Sequence, residues 1–221
     1  MKRRFLVILV LLLSTLACST ITGLVNPAAT IILKPVDPAN ANTAALAQAQ
    51  QVIQKRLDLA GIKSNVSVQG SNQISVAIYS AKDLDAAQKL STAIGALAFV
   101  DSKTPYVEGY QFGTKFDAVL TQADIQAAVA QKNGVGGYEI AVLFSTAGTK
   151  KMADYSRANI GHYLLIVKDG VILSSPILNG AITDGNAVIA GQFSQSEAEI
   201  VAAQLGAQVL PFELQVDQIK Q

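Results

Sequence analysis

RANIGHYLLIVKDGVILSSPILNGAITDGNAVIAGQFSQSEAEIVAAQLGAQVLPFEL, residues 157–214, is the stretch whose reading decides the fold. Gly161 stops a helix. Asp169-Gly170 sits between two apolar runs, a two-residue hairpin signal whose positive φ angles suit Asp and Gly. Tyr163 to Val167 is apolar at every position, as in a strand covered on both faces. Pro176 can donate no ladder hydrogen bond, so it marks an edge or a strand end. Asn186 to Ala190 reads as a further strand. Ser194 with Glu197 forms a capping box that opens a helix through Leu205, with Ala198, Val201 and Leu205 inward and Gly206 as its stop. Val209 to Val216 is the last strand. The content of this stretch is architectural, because no nucleophile, base or metal cluster lies in it.

Upstream, Ala29 to Val36 predicts a first strand ended by Asp37-Pro38. Asn42 or Thr43 caps a helix running to Ala60, with Leu46, Ala49, Ile53, Leu57 and Ala60 at helical spacing and Gly61 as the stop. Val66 and Val68, then Ile74, Val76 and Ile78, alternate as two half-buried strands joined by a turn at Gly70-Ser71-Asn72. Asp83 starts a second helix, and Ala96 to Val100 supplies a fourth strand. Strand, helix, two strands, helix, strand is the order of a ferredoxin-like split unit, in which two helices cover one face of an antiparallel sheet. The polar segment Asp101 to Gly113 reads as a crossing into a second subdomain. There Thr121 and Asp124 form a capping box for a short helix carrying Ile125 and Val129. The Gly134 to Gly137 loop leads to a strand at Tyr138 to Phe144, and a helix follows from about Ala147 to Ile160. The fold class is therefore α+β.

Composition narrows the function. Half of the 221 residues are hydrophobic and Trp is absent, which predicts an aliphatic core. Lys plus Arg is 17 against 16 acids, and three of those cations, Lys2, Arg3 and Arg4, lie in the leader. The mature chain is then slightly acidic and has no electrostatic footprint for nucleic acid. A single cysteine excludes a disulfide within the chain.

That cysteine closes a leader. Met1 to Ala17 has a basic start, an apolar run from Phe5 to Leu13 and small or apolar residues before Cys18, the form of a secretory signal. Ser-Thr-Leu-Ala-Cys resembles the bacterial lipobox, in which the Cys18 thiol is diacylglycerylated and Ala17 is the last residue removed. The competing reading is an uncleaved anchor over Phe5 to Val25, which could just span a bilayer. The fall in apolar density after Cys18 and the placement of the chain's only cysteine favour the lipoprotein. Both readings put the rest of the chain outside the cytoplasm and tethered to a membrane.

An ordered set of short motifs also resembles a known family. Lys55-Arg56-Leu57-Asp58 with Ala60-Gly61-Ile62, Gly95-Ala96-Leu97-Ala98-Phe99, Asn159-Ile160-Gly161, Asp169-Gly170-Val171, Ser174-Ser175-Pro176, Ile182 with Gly185, Ala190-Gly191-Gln192-Phe193-Ser194, Glu197-Ala198 and Leu210-Pro211 follow the order found in the large extracytoplasmic domain of SecD, the accessory subunit of the bacterial Sec translocon. The resemblance runs from Gln51 to Val216. It implies a ferredoxin-like base over residues 30–111 and 207–217, interrupted by an α+β head at 112–206, behind a signal peptide at 1–17 and a tether at 18–29. It departs from the family at Gly206-Ala207-Gln208-Val209-Leu210-Pro211, where Gly-Ala usually stands directly before Leu-Pro, and at Lys168, where Leu is favoured. SecD also carries a membrane part to which proton-driven pulling is assigned. No second apolar stretch here is long enough to span a membrane, so the expectation is a contact role rather than a driving one.

Other motifs carry bland readings. His162, the only histidine, sits at a helix end and reads as a capping or surface residue. Ser174-Ser175 lacks a nucleophile-elbow context. Gly148-Thr149-Lys150 echoes a phosphate loop but has Leu143 where the first glycine belongs, and Gly134 to Gly137 lacks dinucleotide spacing, so both are structural. Asp184-Gly185-Asn186 is a turn, Asp83 and Asp85 are a helix cap and a solvated face, and Asn65-Val66-Ser67 carries no weight as a glycosylation site behind a bacterial lipobox. The expected site residues reduce to Cys18 for lipidation, with no catalytic, cofactor or metal residue. The expected partners are the membrane, exported or unfolded polypeptide and Sec translocon components. The alternative is an envelope structural lipoprotein that reuses the fold without an export role.

Overall fold

The structure, a computed structural model, describes residues 26–221; Cys18, the expected signal peptide and most of the expected tether lie outside the described residues. The elements in chain order are β1 (Ala29–Pro35), α1 (Thr43–Leu59), β2 (Ser64–Gln69), β3 (Gln73–Ile78), α2 (Leu84–Thr92), β4 (Leu97–Ser102), β5 (Ala118–Thr121), β6 (Ile125–Lys132), β7 (Tyr138–Phe144), α3 (Thr146–Ala158), β8 (Tyr163–Lys168), β9 (Val171–Ser174), β10 (Asn186–Phe193), α4 (Gln195–Leu205) and β11 (Leu214–Lys220). The mixed helix-and-sheet class agrees with the α+β expectation. Several helix starts fall at their capping residues. Asn42 Oδ1 accepts the Ala45 N–H at 2.9 Å and Ser145 Oγ accepts that of Gly148 at 3.1 Å. Ser194 and Glu197 exchange the paired bonds of the expected capping box.

The described strands form three sheets, ordered β11-β1-β3-β2, β10-β7-β6 and β5-β4-β8-β9. The first sheet, with α1 and α2 on one face, is the base; its strands are antiparallel throughout. Ile31, Leu33, Val66, Ile74, Val76 and Ile78 meet Leu46, Ile53, Leu57 and Leu90 in its core. The other two sheets with α3 form the head, where Phe99 and Phe144 tie one sheet to the other edge-on, centroids 5.5 Å apart. Helix α4 lies between the two units: Ile200 and Ala203 join the base core, and Ala198, Ala202 and Leu205 join the head core.

Three expectations need correction. Residues 96–100 are not the fourth strand of the base. All but Ala96 lie in β4, which pairs with β5 and β8 in the head, while β11, the returning strand expected in the base, takes the place beside β1. The alternation explains this. In β4 both faces are apolar, with Leu97 and Phe99 toward the head core and Ala98 and Val100 toward the other side, so the strand needs cover on both faces. In β11 buried Leu214 alternates with exposed Gln215, which suits a sheet with one open face.

Residues 97–111, assigned to the base from sequence, thus belong with the head sheet. The irregular segment that follows β4 is its cover: Tyr106, Phe112 and Phe116 pack on Ala98, Val100, Leu165, Val167 and Ile172. That packing also accounts for β8, which is buried on both faces as expected. The closing strand starts at Leu214 rather than Val209.

The third correction concerns residues 121–132. The Thr121/Asp124 capping box is present but caps a single 3-10 turn, Gln122–Asp124, and Ile125–Lys132 runs on as strand β6. Alanine-rich Gln126 to Ala130 favours a helix locally. Pairing with the apolar strand β7 outweighs that preference, because Ile140, Val142 and Phe144 need neighbours in a sheet. Gly134 to Gly137 is then a hairpin loop, held by Asn133 Oδ1, which accepts the N–H groups of Val135 and Gly137 at 3.1 and 2.7 Å.

Candidate functional site

The chain crosses between base and head twice, outward at Ala93–Ala96 and back at Gly206–Leu210. Both crossings follow helix C-termini, whose last carbonyls lack intrahelical partners. The side chain that meets them is Arg56 of α1, which is fully buried at 0% exposure. Its guanidinium donates to the carbonyls of Leu90 at 3.1 Å, Ala93 at 2.6 Å, Ile94 at 2.7 Å and Gln208 at 3.2 Å. Burial pulls its pKa down to about 10, against the attraction of Asp169, so the group remains a cation at neutral pH. Gln122 of the head donates to the carbonyls of Gln204, Leu205 and Ala207 at 2.7, 3.1 and 2.5 Å, closing the end of α4. Gln204 reaches back to the Lys89 carbonyl at 3.2 Å. The crossings are also joined directly, Leu210 N–H to Ile94 C=O at 3.1 Å.

Beside this junction a cleft of about 770 Å³ opens between α1 and the head, with Gln51, Val52 and Lys55 on one wall and Gln122, Ile125 and Gln208 on the other. Its mixed amide and aliphatic lining offers hydrogen bonds and apolar contact without an acid–base pair.

A second surface lies on the outer face of the β10-β7-β6 sheet. Register places Val129, Ala141 and Val188 in one row across the three strands and Ala127, Leu143 and Asn186 in the next. Val129 is 61% exposed, Val188 47% and Leu143 39%. Among the described residues β6 and β10 end their sheet, so each has an outer edge without a strand neighbour. An apolar face bounded by free strand edges can take an extended chain by side-chain contact and strand addition.

The residues singled out in the sequence fall elsewhere. His162 Nδ1 lies 2.9 Å from Asp101 Oδ1, and the Tyr155 hydroxyl donates to the same oxygen at 2.6 Å. Burial would raise the Asp101 carboxyl, but the hydrogen bonds from Tyr155 and His162 and the attraction of His162 and Lys103 outweigh it and hold it below the usual range. Burial, then the bond to Asp101, pushes the Tyr155 hydroxyl upward. The cluster joins α3 and its following turn to the end of β4. Ser175 Oγ accepts the Tyr106 N–H at 3.2 Å, a strand-end contact that anchors the aromatic cover. Gly148 is the third residue of α3 and not part of a phosphate loop. Among the described residues no group of three or more His, Cys, Asp or Glu is placed to hold a metal ion, and no helix is long and apolar enough to cross a membrane.

Sequence reading passed over Arg56, Gln122 and Gln204 as functional groups. One signal for Arg56 was available, since it falls three residues after Ile53 on the apolar stripe of α1, where a cation is out of place unless paired.

The family model described as SecDF, P1 head subdomain, matches residues 100–212. The chain belongs to that family. Its head, as delimited by strand pairing, begins close to where the SecDF P1 head match begins. Relatives include the protein translocase subunit SecD of Acidaminococcus fermentans, 31% identical over 75% of this chain and 37% of that protein, and that of Dictyoglomus turgidum, 29% identical over 75% of this chain and 39% of that protein. The chain thus spans less than half the length of these curated SecD relatives. A crystal structure of SecDF in a super-membrane-facing form superposes with a TM-score of 0.75 at 28% identity, covering 86% of this chain and 30% of that one. A structure of SecDF, described as a membrane component that enhances protein export, gives 0.71 at 27% identity, covering 87% of this chain and 99% of that one.

Proposed function

We propose that this protein acts in protein translocation as a membrane-tethered SecD-like module, without catalysis of its own, that contacts translocating or unfolded polypeptide or the Sec translocon on the extracytoplasmic side. The observation that carries the reading is membership in the SecDF P1 head family joined to the open apolar face of Val129, Leu143 and Val188. An unfolded chain exposes apolar side chains and unpaired backbone groups, and the β10-β7-β6 sheet offers partners for both. Pulldown from membranes should recover a Sec component or a nascent secretory chain; recovery of neither would sink the reading in favour of an envelope role outside export. Val129→Asp combined with Val188→Asp should lower client recovery several-fold. Both positions are exposed, so the stability cost should stay on the scale of strand propensity, about 1 kcal/mol per site.

The tether in this proposal is a lipid on Cys18. Its support is the lipobox-like Ser-Thr-Leu-Ala-Cys sequence behind the leader. Metabolic labelling with a radioactive fatty acid should mark the wild-type chain and fail in Cys18→Ser. Label that persists in the variant would refute the anchor.

A further inference from the structure

We propose that Arg56 is the positioning residue that sets the angle of the head on the base. The directional bonds between base and head converge on this side chain, whatever the protein's part in translocation. Apolar contacts between the units come from α4, through Ile200 and Ala203 on one side and Ala198, Ala202 and Leu205 on the other. Hydrophobic contact is non-directional, and small side chains such as Ala202 and Ala203 tolerate rotation about a shared helix. Hydrogen bonds with fixed donor geometry do not.

The planar guanidinium of Arg56 presents its donors in a rigid fork. Here Nη1 holds Leu90 and Ala93 and Nη2 holds Ile94 and Gln208, so one base side chain fixes the outgoing and returning crossings at once. The carbonyls it meets include those following α2 and α4, helix ends whose dipoles favour a cation. The head closes on the same place. Asp169, in the β8–β9 turn, exchanges two bonds with Ala96, accepting its N–H at 2.8 Å and donating to its carbonyl at 2.9 Å. Gly95, at φ +76°, leaves no room for a Cβ beside the Arg56 guanidinium and Gln204. Among the described residues the buried side-chain atoms without a partner are Arg56 Nε, Ser91 Oγ, Gln122 Oε1 and Gln204 Oε1. All four belong to this junction or to the neighbour of one of its acceptors, so the polar groups that a change of angle would re-pair are concentrated there.

The test is the distance between spin labels on the full chain carrying Cys18→Ser, Ser71→Cys in the base turn and Val135→Cys in the head hairpin, both sites exposed. With Arg56 present the distance distribution should be narrow. Arg56→Met should at least double its width, and Arg56→Lys, which keeps the charge but loses the fork, should fall between. Leu33→Ala, a base-core variant away from the junction, should lower the melting temperature and leave the width unchanged. A folded Arg56→Met chain with wild-type width would overturn the proposal. If Arg56→Met does not fold, Arg56→Lys decides by the same criterion. If neither folds, Arg56 serves folding of the base rather than the angle, and the proposal falls.

Discussion

Gly95→Ala should destabilise the protein by about 2–5 kcal/mol, combining about 1–2 kcal/mol for a left-handed alanine with about 1–3 kcal/mol for overpacking. The useful comparison is Gly61→Ala. Gly61 has nearly the same backbone angle, φ +69° against +76°, but nothing within 4 Å of a Cβ built there. It should therefore cost only the backbone part, about 1–2 kcal/mol. The difference between the two variants in urea unfolding isolates the contact with Arg56. That difference should shrink when both are made in Arg56→Met, because contacting residues do not act additively. Equal losses at Gly61 and Gly95 would show that the outgoing crossing is not packed against the guanidinium.

Gly148→Ala should reverse the usual sign of a glycine substitution in a helix. Propensity alone predicts a gain of about 1 kcal/mol. Here an added Cβ would overlap the backbone carbonyl of Asp124. That carbonyl has little freedom to move: it accepts the Ser145 N–H at 2.8 Å, while the Asp124 carboxylate accepts the Thr121 N–H at 3.0 Å and the Lys151 ammonium at 2.8 Å. Since Asp124 precedes β6 and Gly148 lies in the first turns of α3, relief requires moving one element away from the other. A loss of about 2 kcal/mol is expected in denaturant unfolding, near the middle of the range for overpacking. A stabilised Gly148→Ala chain would contradict the close approach of α3 to the 3-10 turn.

Local chemistry explains which parts of this fold were legible in the sequence. Helices α1 and α4 announce themselves through Asn42, through the Ser194/Glu197 box and through the stops that follow. The β8–β9 hairpin is written in Asp169-Gly170, both at positive φ. The uniform apolarity of Tyr163 to Val167 correctly predicted cover on two faces, although not that Tyr106, Phe112 and Phe116 supply one of them. What failed was long-range. Ile125 and Val129 sit four apart, a spacing shared by one helix face and by one face of a regular strand, and the bulge between Ile125 and Ala127 then sends them to opposite faces, Ile125 toward the head core and Val129 outward. The choice is made by β7, whose partner cannot be read locally. The placement of β4 in the head rather than the base likewise depends on which face of each strand finds cover, whereas the last strand closes the base as its place in the chain suggested. The open face of Val129 and Val188 was invisible for the same reason, since it exists only once β6, β7 and β10 are in register.

Arg56 shows the other limit. Its position in α1 marks a buried cation, but its acceptors lie 34 to 152 residues away, at backbone carbonyls that carry no side-chain signature. Only folded geometry brings them together.

The β10-β7-β6 face is the surface proposed to meet polypeptide in transit. The most direct measurement places a photo-crosslinking amino acid at Val129 in cells holding a stalled secretory protein, with Ile219 on the base as the control position. The account predicts an adduct with the stalled chain from Val129 and little from Ile219. Absence of that adduct from Val129, or equal yield from Ile219, would contradict it.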